Sequence, residues 1–123
     1  MTKTELEDRV VRFSARCVKV CCAFPAKKIG SSSMADQLFR SSTSVAANYA
    51  EATESESRKD FVHKLKIVMK ELSETRVWLK ILGETGYVSK SRLTDLVGEA
   101  EELSRIIASS IITARTRIRS DEH

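Results

Sequence analysis

The stretch from Asp36 to Leu82 constrains this chain most. A small-residue segment, RSSTSVAANYAEA from Arg40 to Ala52, is followed by an ESESR break and then by a long amphipathic segment from Asp60. In the first segment Leu38, Ser42, Val45, Tyr49 and Ala52 recur every three or four residues, which places them on one stripe of a helix. The neighbours of that stripe are serine and alanine, so a second helix can approach closely. Serine and threonine compete for backbone hydrogen bonds, and this helix therefore depends on its neighbours for stability. In the second segment Phe61, Leu65, Val68 or Met69, Leu72, Leu79 and Leu82 keep helical spacing, with Thr75 and Arg76 at the step that lacks an apolar residue.

Polar residues run beside both stripes. Arg40, Asn48 and Glu51 on the first helix, and Lys64, Glu71 and Glu74 on the second, form a candidate interhelix or interface network, with Arg40 reaching Glu71 or Glu74 in a charge-assisted contact. The competing reading is a solvated charged face.

The flanking sequence supplies two more helices. The first runs from about Thr4 to Ala23, with Thr4 as its cap, acidic residues in its first turn, and Pro25 beyond its end. Leu6, Val10, Phe13, Cys17, Val20 and Phe24 form its core stripe. A capping signal at Ser33 and Asp36 opens the second helix, and one at Ser57 and Asp60 opens the third, which ends near Gly83 or Gly86. Ser89 or Ser91 caps a fourth helix with core positions Leu93, Leu96 or Val97, Ala100, Leu103, Ile107, Ile111 or Ser110, and Ala114. Ile106, Ile112 and Ile118 fall outside that stripe, which points to a subunit interface or to a broad internal core. Four glycines and one proline leave little material for turns, so few long elements are expected rather than many strands. The predicted fold is all-α: one antiparallel up-down-up-down four-helix bundle over residues 1–119, followed by a disordered tail at 120–123.

RSSTSVAANYAEA, followed by SRKDFVHKLKIVMKELSETRVWL from Ser57, resembles the four-helix bundle proteins encoded in intervening sequences of bacterial 23S ribosomal RNA genes. The likeness extends from LEDRVVRF at Leu6 to EELSRIIASSIITAR near the end. It implies an antiparallel bundle that assembles into a cyclic homopentamer. A similar bundle is the accessory protein of diversity-generating retroelements, where a basic pentamer works with a reverse transcriptase and its RNA.

Charge carries the remaining functional signal. The formal net charge of +4 and pI near 9.1 favour an anionic partner. Arg9, Arg12, Arg16 and Lys19 recur on one side of the first helix, with no acidic residue between Asp8 and Asp36 to balance them. Lys59, His63, Lys66 and Lys70 make a second basic stripe on the third helix, and Arg115, Arg117 and Arg119 end the fourth, whose early turns carry Asp95, Glu99, Glu101 and Glu102. The ten basic residues Arg9, Arg12, Arg16, Lys19, Lys59, Lys66, Lys70, Arg115, Arg117 and Arg119 are the candidate nucleic-acid-binding set. The few aromatic residues sit at or beside core stripes, so binding through the phosphate backbone is expected rather than base stacking.

Catalytic signals are sparse. No glycine-rich phosphate loop, nucleophile elbow or paired carboxylate-histidine motif occurs, and no catalytic residue, metal or cofactor is assigned. Cys17, Cys21 and Cys22 share one helix; Cys17 and Cys21 read as small buried hydrophobes. Arg58 and His63 have the spacing of helical HEPN-type ribonucleases, which makes an RNA-cleaving enzyme the alternative. No apolar run approaches the ~20 residues that span a bilayer, and no signal-peptide core follows Lys3, so a cytoplasmic protein without a membrane partner is expected. The preferred reading is a non-enzymatic oligomeric bundle that binds structured RNA or DNA and scaffolds another protein; a protein-interaction assembly without nucleic acid is the second.

Overall fold

A computed structural model describes residues 1–122. Four helices account for most of them: α1 (Lys3–Cys21), α2 (Ser31–Thr53), α3 (Arg58–Thr85) and α4 (Lys90–Asp121). No strand occurs among the described residues.

Pairs of side-chain contacts give the helix directions. Ser14 donates to the Ser42 carbonyl and Cys21 to that of Ala35, so residue numbers rise on α1 as they fall on α2. Thr75 meets Ser41 while Lys64 meets Glu51, and Arg58 meets Asp121 while Lys90 meets Glu84. Each helix is therefore antiparallel to its predecessor. α1 closes the ring against α4, chiefly through Arg9 and Glu99. The architecture is the up-down-up-down four-helix bundle.

The core follows the apolar stripes. Leu38, Ser42, Val45, Tyr49 and Ala52 of α2 are all buried, as are Leu6, Val10, Phe13, Cys17 and Val20 of α1. On α4 the buried set is Leu93, Leu96, Ala100, Leu103, Ile107, Ile111 and Ala114. On α3, Val62 rather than Phe61 is buried, and Phe61 packs half-exposed against the core. Thr75 fills the step without an apolar residue: its hydroxyl donates to Ser41 Oγ at 2.9 Å, and both residues are fully buried. That bond exists because α2 presents a serine where its neighbour needs a partner, so the small-residue stripe supplies polar satisfaction as well as close approach. Burial also pushes the Cys17 thiol up to about 12, with Cys21 adding a smaller effect, as suits a small core hydrophobe. Cys22 is exposed.

The helix ends differ from expectation: α1 stops at Cys21 rather than Ala23, and the Ser89 hydroxyl, at the N-cap position of α4, makes no cap bond. Thr2, not Thr4, caps α1: its hydroxyl accepts from the Glu5 N–H at 3.1 Å and Glu5 reaches back to the Thr2 N–H, a complete capping box. α2 starts before the Ser33 and Asp36 signal, because Gly30, at φ +71°, turns the chain directly into Ser31. α4 continues through Ser120 to Asp121, where Arg58 and Lys59 of α3 hold Asp121 and Glu122, so the first two residues of the segment expected as a tail are helical; His123 lies outside the described residues. Ser57 caps α3 through the Asp60 N–H, and Gly86, at φ +74°, ends it.

Candidate nucleic-acid interface

The antiparallel pairing of α3 and α4 brings together two basic runs that are far apart in sequence. Lys59 Nζ lies 3.6 Å from Glu122, which sets the register between the start of α3 and the end of α4. Seven residues along α3 is about 10 Å, and seven back along α4 is the same distance, so Lys66 lies level with Arg115. By the same count Lys70 lies level with the neighbourhood of Ile112. At about 100° per residue, Lys59, Lys66 and Lys70 fall on the outward flank of α3 that faces α4, and Ile112, Arg115 and Arg119 fall on the α4 flank that faces α3. Ile112, Arg115, Ile118 and Arg119 border one shallow depression.

This face is basic without local compensation. Lys66, Lys70, Arg115 and Arg119 are exposed and have no acidic partner among the described residues. No aspartate or glutamate occurs from Phe61 to Lys70 or from Leu103 to Ser120. At its centre Ile112 is 64 % exposed, the one residue of the Ile106, Ile112 and Ile118 set that α4 leaves clear of the protein. Lys59 is partly spent on Glu122. Arg117 is separated from the other two arginines: two residues from each, it turns to the opposite flank of α4 and lines a groove shared with α1.

The ridge on α1 has a different character. Arg9 is held by Glu99 of α4 in a two-bond contact, Nε to Oε2 at 2.8 Å and Nη2 to Oε1 at 2.7 Å, and both side chains are largely covered. Those bonds, with weaker help from the Arg16 and Arg12 charges, hold the Glu99 carboxyl below the usual carboxylate range. Arg12, Arg16 and Lys19 remain exposed and without an ion pair among the described residues. The balancing acid is thus absent from the local sequence and arrives from α4, so the ridge is less strongly basic than its sequence reads.

Much of the polar network between α2 and α3 forms. Arg40 Nη1 lies 3.1 Å from Glu71, its Nη2 binds Glu74, and Trp78 Nε1 donates to the same Glu74 carboxylate at 3.1 Å. The Arg40 and Trp78 hydrogen bonds hold Glu74 below its ordinary range. Lys64 lies 3.5 Å from Glu51. Asn48 instead donates to the Ser44 carbonyl of its own helix. The network ties the two helices together and shows no feature of a ligand site.

Arg58 and His63 are not brought together. Five residues of helix separate their directions by about 140°, Arg58 is engaged by Asp121, and His63 points outward beside Lys66. No group of three or more histidine, cysteine, aspartate or glutamate side chains able to hold a metal ion occurs among the described residues. No helix among the described residues is long and apolar enough to cross a membrane.

Fold and surface together define an all-α four-helix bundle with unpaired basic side chains on its α3–α4 face and along α1. Residues 3–109 match the 23S rRNA-intervening sequence protein family, and the chain belongs to that family. The fold is also similar to a crystal structure of a protein of unknown function from the S23 ribosomal protein family of Bacteroides thetaiotaomicron VPI-5482. That similarity has a TM-score of 0.79 at 31% identity and covers 86% of this chain and 97% of the other. No curated protein matches. No enzymatic activity is attached to the family or to this neighbour.

Proposed function

We propose that the protein is a non-enzymatic, self-associating bundle that binds the phosphate backbone of structured RNA or DNA through the α3–α4 face. The observation that carries this reading is the convergence of Lys66, Lys70, Arg115 and Arg119 around Ile112, with no acidic residue from Phe61 to Lys70 or from Leu103 to Ser120. Four free cations on a rigid helical face attract phosphate and gain from counterion release. The face carries no exposed aromatic platform, which favours backbone contact over base stacking.

Self-association is supported by a separate apolar surface. Val11 on α1 and Phe39 on α2 are 49 % and 51 % exposed, on flanks that also carry Ala15 and Ala46. A second copy that covers them would repeat the basic face around a ring; the homopentamer implied by the family resemblance is the assembly proposed here. In that arrangement several weak sites act on one nucleic acid, and the ring presents it to a protein such as a reverse transcriptase. The same apolar surface favours the second reading, a protein-interaction assembly that needs no nucleic acid.

Fluorescence anisotropy of a labelled duplex tests the choice. With about four phosphate contacts per subunit, the logarithm of affinity falls with the logarithm of salt at a slope of about −3.6 for each engaged subunit. Multi-angle light scattering in the same buffers gives a mass near five times 13.8 kDa that rises with duplex and falls back with salt. An assembly of that mass with no duplex binding at about 50 mM salt would establish the second reading instead.

A further inference from the structure

Away from the basic face, α1 and α4 part near the α2–α3 turn and leave an open groove of about 900 Å³. Its floor is apolar: Leu6, Tyr49 and Ala52 belong to the buried core, and Phe61 and Ile106 lie half-buried beside them. The wall hydroxyls make little demand on a ligand. Ser110 donates to the Ile106 carbonyl at 3.2 Å and Thr53 to that of Ala50 at 2.8 Å, and among the described residues no buried side-chain polar atom lacks a partner.

Charge at the rim is uneven. Arg105 is bonded to Glu102 and Arg58 to Asp121, whereas Arg117 has no acidic partner among the described residues. Lys3 adds a second free cation and Glu56 one free acid, so the rim keeps a positive excess. A groove that offers apolar contact along its floor and an unneutralised guanidinium at its edge complements a molecule with an apolar body and one anionic head. The volume lies within the ordinary range for small-molecule sites, roughly 300–1,000 Å³.

We propose that this groove binds a single-chain anionic amphiphile, an alkyl carboxylate or alkyl phosphate, with the chain over Tyr49, Phe61 and Ile106 and the head on Arg117. The site is independent of the α3–α4 face, since Arg117 turns away from Arg115 and Arg119 around the helix.

Binding of the fluorescent long-chain carboxylate cis-parinarate to the full chain, below micelle-forming concentrations, tests this. The expected result is a rise in emission that dodecanoate and dodecyl phosphate reverse, the stronger competitor identifying the head group. Dodecanol, which lacks the charge, competes about tenfold more weakly. Arg117→Glu weakens cis-parinarate about tenfold or more, and Thr113→Trp, which fills the groove from an exposed position, abolishes its binding; Arg119→Glu on the opposite flank leaves it unchanged. Helical circular dichroism of each variant confirms the fold. The proposal is overturned by absent emission, by dodecanol competing equally, or by Arg119→Glu matching Arg117→Glu, which would place the chain in the Ile112 depression.

Discussion

The bond between Thr75 and Ser41 is the most exacting test of how α2 and α3 are joined. Thr75 Oγ1 donates to Ser41 Oγ at 2.9 Å, and Ser41 Oγ in turn donates to the Leu38 carbonyl at 3.4 Å, with both residues fully buried. Thr75→Val keeps the shape of the side chain and removes one neutral hydrogen bond, while Ser41 keeps its donor satisfied; the cost is about 1 kcal/mol. Ser41→Ala is worse, because it strands the Thr75 hydroxyl among apolar neighbours, and costs about 2 kcal/mol. The double variant removes both polar groups and strands neither, so its cost stays near that of Thr75→Val alone. Urea unfolding followed by circular dichroism, at one fixed protein concentration, measures all four corners of the cycle. Single effects that add to within about 0.3 kcal/mol would refute the bond as a link between the helices, because residues in contact must couple.

Three further outcomes follow from local structure. Gly86 ends α3 at φ +74°, so Gly86→Ala destabilises by about 1 kcal/mol, whereas Gly98, in open space on α4, gains about 0.5–1 kcal/mol on change to alanine; urea midpoints separate the two. Glu99 and Glu74 have folded-state values depressed mainly by their bonds to Arg9 and Arg40, so their stabilisation is complete above the unfolded carboxylate range near pH 4 and is lost as pH falls through the lower folded values. Arg9→Ala should flatten the Glu99 part of that acid limb, as read by unfolding from about pH 5 downward, through and below the unfolded carboxylate range. Cys17, buried with its thiol pushed up to about 12, stays unmodified by a thiol reagent near neutral pH while exposed Cys22 reacts first, and peptide mapping reports the order.

The fold was largely legible because its signals are periodic. The stripes of α1, α2 and α4 reappear as buried residues, except that Phe24 lies past the end of α1 and is half-buried, and even the Ser42 and Thr75 irregularities fall in the core. Helix ends were harder to read. Gly30 started α2 early because a left-handed residue turned the chain before the side-chain cap could act, and the end of α4 depends on Arg58 and Lys59, more than sixty residues away. The surface was legible in composition but not in grouping. A sequence stripe cannot show that Glu99 crosses from α4 to hold Arg9, or that Lys66 comes level with Arg115. It cannot show that Arg115 and Arg117 leave α4 on opposite sides until the neighbours of that helix are known. The groove beside Arg117 had no sequence signal at all, since it arises from the way α1 and α4 diverge.

Charge reversal on two faces tests the central claim most directly. Lys66→Glu with Arg115→Glu alters the α3–α4 face, and Arg12→Glu with Arg16→Glu alters the α1 ridge; all four residues are exposed, so the bundle is retained. Duplex affinity is measured for both variants across a salt series. The account predicts that the first variant loses most of its affinity at low salt and that its salt slope becomes shallower by about 1.8 for each engaged subunit, while the second keeps most of its affinity and the original slope. Equal losses from both, or a loss confined to the α1 variant, would contradict the assignment of phosphate binding to the α3–α4 face.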